Sequence, residues 1–116
     1  MLNLFEEYTS ELSDEEKKLL PVFVSNFINH VGEENCVTAS EMVSQLNTRF
    51  NYIPKLNGSR VRKILHHIRV EGLVKNLIAS KYGYYIENDP LKLKEYVITL
   101  RQRAASIKQV ADSYQI

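Results

Sequence analysis

Cysteine is almost absent: Cys36 is the single thiol in 116 residues. A lone thiol forms no internal disulfide and offers no CxxC spacing, so neither a disulfide framework nor a zinc ribbon organises this chain. Long apolar runs are missing too. None approaches the roughly 20 residues needed to cross a bilayer, and Met1-Leu2-Asn3-Leu4-Phe5-Glu6-Glu7 lacks the basic start and apolar stretch of a signal peptide. These absences point to an intracellular, cytoplasmic protein with no membrane partner. There is no internal repeat, no low-complexity segment, no glycine-rich phosphate loop, no supported carboxylate pair and no serine nucleophile motif. The expectation is a protein that is not an enzyme, with no cofactor and no evident small-molecule substrate.

What is present is the composition of one folded domain with an appended element: 44% of residues are hydrophobic and 25% charged. A chain of this length buries roughly two-thirds of the surface that its unfolded form exposes, enough for a core without disulfides or metal. The net charge of +1 conceals an asymmetry. Residues 1–36 hold eight acidic side chains against Lys17 and Lys18, a balance of −6. Residues 37–86 hold Arg49, Lys55, Arg60, Arg62, Lys63, Arg69, Lys75 and Lys81 against Glu41 and Glu71, a balance of +6. The remainder is nearly neutral. A basic centre behind an acidic head suggests a local anion-binding face.

Ser13-Asp14-Glu15-Glu16 reads as a capping box that opens a helix. Leu19, Leu20, Phe23, Val24, Phe27, Ile28 and Val31 form its apolar stripe up to Gly32. Pro21 predicts a bend or break near Leu20. Cys36-Val37 is a short apolar stretch, with Cys36 read as a buried thiol. Thr38 and Glu41 form a second capping box for a short helix with Met42, Val43, Leu46 and Phe50 inside. After a connector from Asn51 to Gly58, capped by Asn57 or Ser59, a helix from about Ser59 to Glu71 buries Val61, Ile64, Leu65 and Ile68. At about 100° per residue, Ser59, Lys63, His66, His67 and Val70 lie opposite, with Arg60 and Arg62 on the flanks. Gly72 is placed to end it in a left-handed conformation.

The period then changes. Residues 73–79 and 84–86 are strand-like runs around Ser80-Lys81-Tyr82-Gly83, the signature of a hairpin. Alternation puts Tyr84 and Ile86 on one face and Tyr85 on the other, leaving Tyr82 as the exposed ring. Asp89-Pro90 starts a final helix to about Ser113, roughly 35 to 40 Å long at 1.5 Å per residue. In it Leu93, Val97, Leu100, Ala104, Ile107, Ala111 and Tyr114 alternate spacings of four and three, as a coiled-coil seam does. This predicts a homodimer through that seam, with Ile107, Val110 or the N-terminal Leu2, Leu4 and Phe5 adding to the interface. The alternative is a helix folded back on its own chain through Leu91, Tyr96 and Leu100.

The fold class expected is mainly α with a small β-hairpin, and its order resembles the winged helix-turn-helix family over roughly residues 12–88. Val37-Thr38-Ala39-Ser40-Glu41 resembles the strand-to-helix passage of that fold. Ser59 to Arg69 resembles its recognition helix, Glu71-Gly72-Leu73-Val74 the helix exit, and Ala79 to Ile86 the wing with its returning strand. The stretch from Arg60 to Ile86 followed by Leu91 to Arg103 is also similar to small phage and prophage replication or regulatory proteins that join a winged helix to a C-terminal helix. The boundaries expected are an N-terminal segment at 1–12, a winged-helix domain at 13–88 and a dimerisation helix at 89–116.

The resemblance implies double-stranded DNA as partner, in a regulatory or replication accessory role. Arg60, Arg62, Lys63 and Arg69 supply cations, Ser59, Lys63, His66 and His67 occupy the outer face, and Lys81 and Tyr82 sit at the hairpin tip. The alternatives are a solvated helix face, or a winged-helix protein-interaction module without direct DNA contact. His66 and His67 are adjacent and project about 100° apart, so no metal site is expected.

Overall fold

The computed structural model describes residues 11–50 and 55–115, without the Phe50 side chain. The expected segment up to residue 10, connector residues 51–54 and an inward Phe50 lie outside it. Among the described residues the chain is mainly helical with one small antiparallel hairpin. In order come α1 (Asp14–Asn26), two 3-10 turns (Phe27–Asn29 and Glu33–Asn35), α2 (Ala39–Phe50), α3 (Gly58–Glu71), β1 (Leu77–Ser80), β2 (Gly83–Ile86) and α4 (Pro90–Ser113).

Side chains that satisfy orphan backbone groups set the helix ends. Ser13 N donates to Glu16 Oε1 at 2.8 Å while Glu16 N donates to Ser13 Oγ at 3.2 Å. Thr38 and Glu41 repeat the exchange before α2, at 3.2 and 3.0 Å. Asn57 Oδ1 accepts the Arg60 N–H at 2.9 Å and opens α3, and Gly72, at φ 65°, closes it. Asp89 caps α4 with Pro90 in its first turn.

The helix does not break at Pro21, for α1 runs through it from Asp14 to Asn26. The missing N–H leaves the carbonyl four residues back without its partner, and both Lys17 and Pro21 are exposed, so water reaches that turn. Leu19 and Phe23 hold the helix to the core on either side. The apolar stripe ends earlier than its spacing predicts: α1 gives way to a 3-10 turn at Phe27, which rotates Ile28 out to 76% exposure.

Helix α3 lies at the centre of the core. Its Val61, Ile64, Leu65 and Ile68 are fully buried among Leu19, Phe23 and Phe27 from the α1 side, Met42 and Leu46 of α2, and Leu77 of the hairpin. The Asn47 amide reaches back from α2 to both backbone groups of Leu56, at 2.8 and 2.9 Å, fixing how the chain re-enters the core before α3.

In the hairpin Leu77 faces Ile86, Ile78 faces Tyr85, Ala79 faces Tyr84 and Ser80 faces Gly83. Tyr84 and Ile86 pack on the core, while Ile78 and Tyr85 are buried on the other face, so both faces of this small sheet are covered. The strand run expected from Leu73 starts only at Leu77. Residues 73–76 form a turn, with Asn76 at φ 63°.

The outer edge of β2 is paired by residues 30–37. Val37 exchanges both backbone hydrogen bonds with Tyr84 at 2.9 and 2.8 Å, and Ile86 bonds to Gly32 and His30. This close approach requires Gly83, whose φ is 138° and where a Cβ would stand 2.7 Å from the Val37 carbonyl oxygen. Helix α4 buries none of its residues, and every described residue from Val97 to Gln115 is exposed. No helix among the described residues is long and apolar enough to cross a membrane.

Candidate nucleic-acid interface

The wheel places Lys63 on the outer face of α3 and Arg60 on its flank, yet both side chains turn back to α1. Lys63 Nζ lies 2.8 Å from Glu16 Oε1 and Arg60 Nε 3.4 Å from Glu16 Oε2. The two cations keep only 20% and 22% of their side-chain surface, and the carboxylate keeps 1%. Helical angle fixes a Cα direction, but a long aliphatic stem lets the charged head travel several ångströms to a partner. The partner is demanding, because a buried carboxylate is costly unless paired and hydrogen-bonded. Burial pushes the Glu16 carboxyl up, but the Lys63 ammonium and the Ser13 backbone and hydroxyl donors outweigh it, and the net shift is downward. Glu16 was missed as a site residue. Its signal in the sequence was an acid between Leu12 and Leu19-Leu20 on an apolar stripe, where a carboxylate needs a cation.

Arg69 is committed elsewhere. Its Nη2 donates to the Tyr96 hydroxyl at 2.7 Å. The same hydroxyl accepts the Ala79 N–H at 3.2 Å and donates to the Ala79 carbonyl at 3.3 Å. One phenol thus closes the free edge of β1, uses its full donor and acceptor capacity, and docks the start of α4. His66 and Arg69, with Val70, Leu77, Tyr96 and Leu100, line an open groove of about 330 Å³ between α3 and α4. The C-terminal half of α3 is therefore flanked by α4. His67 and Ser59 are half-buried.

Three of the expected residues remain open. Arg62 is exposed near the N-terminal end of α3 and makes no ion pair among the described residues. Lys81 and Tyr82 form the two-residue hairpin tip, with Lys81 Nζ 5.0 Å from the Tyr82 ring centroid and the ring 54% exposed. The Ser80 hydroxyl holds the tip by accepting the Tyr82 N–H at 3.1 Å and donating to the Gly83 carbonyl at 3.0 Å. Cys36 is half-buried rather than buried, and its thiol donates to the Tyr82 carbonyl at 3.2 Å, tying the tip to the segment before α2. Lys55 and Lys75 add exposed positive charge.

Of the seam residues on α4, Leu93 is half-buried. Val97, Leu100, Ile107 and Tyr114 are 43%, 37%, 70% and 68% exposed, and Ala104 and Ala111 are exposed as well. Of the intrachain contacts that were the alternative, Tyr96 docks, while Leu91 stays 65% exposed. Comparison of the chain with family models, with curated proteins and with solved structures returned no match.

Proposed function

We propose that residues 13–88 are a winged helix-turn-helix domain that binds duplex DNA through the N-terminal half of α3 and the hairpin tip, in a regulatory or replication accessory role. The order of elements supports this, as does the exchange of backbone hydrogen bonds between Val37 and Tyr84, an isolated bridge on the outer edge of the two-stranded hairpin. The observation that carries the DNA reading is the pair of open basic points, Arg62 and Lys81, on the stretch where the chain concentrates its positive charge. In this reading Arg62 and Lys81 contact phosphates, Ser59 faces the groove from the start of α3, and Tyr82 lies against the backbone or minor-groove wall. Lys63 and Arg60 join only by leaving Glu16.

A second reading, a protein-interaction module without DNA contact, is favoured by one observation: Glu16 engages two of the four cations of α3. A salt titration of fluorescence anisotropy on random duplex DNA separates the two. Each phosphate contact contributes about −0.9 to the slope of log affinity against log salt, so the DNA reading expects a slope of about −2 or steeper. Absence of binding at low salt refutes it.

A further inference from the structure

We propose that the solvent-facing stripe of α4 receives an amphipathic helix from another protein, one whose apolar face is flanked by acidic side chains.

The stripe is long and uncovered. From Val97 to Tyr114 its apolar members face solvent, and toward its end Ser106, Ile107, Val110, Ala111 and Tyr114 surround a shallow hollow of about 370 Å³. Ala104 and Ala111 leave gaps between larger neighbours, and a partner helix that places bulky aliphatic side chains over those gaps fills them. The same small residues, with Arg103 beside them, give little bulk for entering lipid, which speaks against a membrane surface as occupant.

Charge decides between a second copy and a different protein. Lys94, Arg101 and Lys108 follow Leu93, Leu100 and Ile107 along one flank, and Arg103 stands on the other between Tyr96 and Val110. Glu95 lies at the back of the helix, and Asp112 is bonded to Lys108 at 2.6 Å, leaving Lys94, Arg101 and Arg103 without an acid partner on the helix. The heptad spacing predicts twofold pairing, but these flanks oppose it. A parallel pair sets Arg103 against the second copy's Lys108. An antiparallel pair sets Arg101 against the second copy's Arg101, and Lys94 against its Lys108. A helix with Glu or Asp at the flanking positions meets the same cations with opposite charge and buries the same apolar stripe.

The test uses the intact chain and two labelled helical peptides with identical leucine-rich seams, one flanked by Glu and one by Lys. Sedimentation of the chain alone at tens of micromolar is expected to give the monomer mass. Anisotropy is expected to show one-to-one binding of the Glu-flanked peptide, about tenfold or more tighter than the Lys-flanked one. The exposed double change Arg101→Glu, Arg103→Glu, checked for unchanged helicity, is expected to abolish that preference, and Ile107→Asp to weaken both peptides. A dimer of the intact chain that Ile107→Asp dissociates overturns the proposal in favour of a second copy. Binding to phosphatidylserine vesicles that Ile107→Asp removes overturns it in favour of lipid. Equal binding of both peptides, no binding of either, or a preference that survives the double change also overturns it.

Discussion

Replacing Glu16 by Gln removes a buried charge while keeping the start of α1 in shape, because an amide at that position still accepts the Ser13 N–H. The substitution therefore isolates the two contacts to Arg60 and Lys63 from the cap. Breaking a fully buried ion pair by removing one partner costs about 3–5 kcal/mol. Here the cations that lose their partner keep about one-fifth of their surface and swing into water, which lowers the expected loss to about 1–2 kcal/mol. For a domain of this size that is a fall in Tm of roughly 4–10 °C.

The pH dependence has a definite sign. The Glu16 carboxyl is lowered in the folded chain from an ordinary value of 4.5, so its stabilisation is fully present above about pH 5. It disappears as pH falls through the folded value, where protonation ends the attraction to Lys63 and Arg60. Urea unfolding followed by circular dichroism at pH 7 and near pH 3 reads both effects, and a double-mutant cycle with Lys63→Met assigns the coupling to the pair. A Gln variant as stable as the parent at pH 7, or a deficit that persists undiminished near pH 3, refutes the reasoning.

The same Glu16→Gln change frees Arg60 and Lys63, so in the salt titration the affinity for duplex DNA is expected to rise and the slope to steepen by up to about 1.8, the value of two further phosphate contacts. Arg62→Ala is expected to leave the unfolding midpoint unchanged and to flatten the salt slope by about 0.9, read on the same duplexes. Tyr96→Phe removes the hydroxyl that holds Arg69 and both backbone groups of Ala79, and is expected to cost about 1–3 kcal/mol and to speed hydrogen exchange at the Ala79 amide. Gly83→Ala meets the Val37 carbonyl from a positive φ, and a loss of about 2 kcal/mol or more is expected in urea unfolding.

Features governed by near neighbours were legible in the sequence. Ser13 with Glu16, Thr38 with Glu41, Asn57, Gly72 and Asp89-Pro90 all act within a few residues of the backbone groups they satisfy, and each sits where its spacing placed it. The core face of α3 was equally plain, because four short-armed aliphatic residues cannot reach away from their own Cα direction. Lys63 shows where that logic stops. Its Cα points outward, but its ammonium belongs to Glu16, 47 positions earlier in the chain, and periodicity says nothing of where a long side chain ends. Ile28 shows a second limit: the three-residue tighter turn after α1 rotates an apolar position out of the stripe.

Tyr96 marks the third limit, and it bears most on function. Spacing names it only as an intrachain contact, the alternative to the seam, and does not show that its hydroxyl fixes how α4 leaves the domain by closing the β1 edge and holding Arg69. Once that anchor is made at the second turn of α4, the stripe beyond it has no surface of its own domain to lie on, and the four-and-three spacing becomes an unmet demand for another helix. The spacing alone does not choose that helix. Seam residues state that an apolar partner is needed, but the choice between a copy of the chain and a different protein rests on the residues beside them. Arg101 and Arg103, one on each flank, are the residues on which the proposed choice of an acid-flanked partner rests.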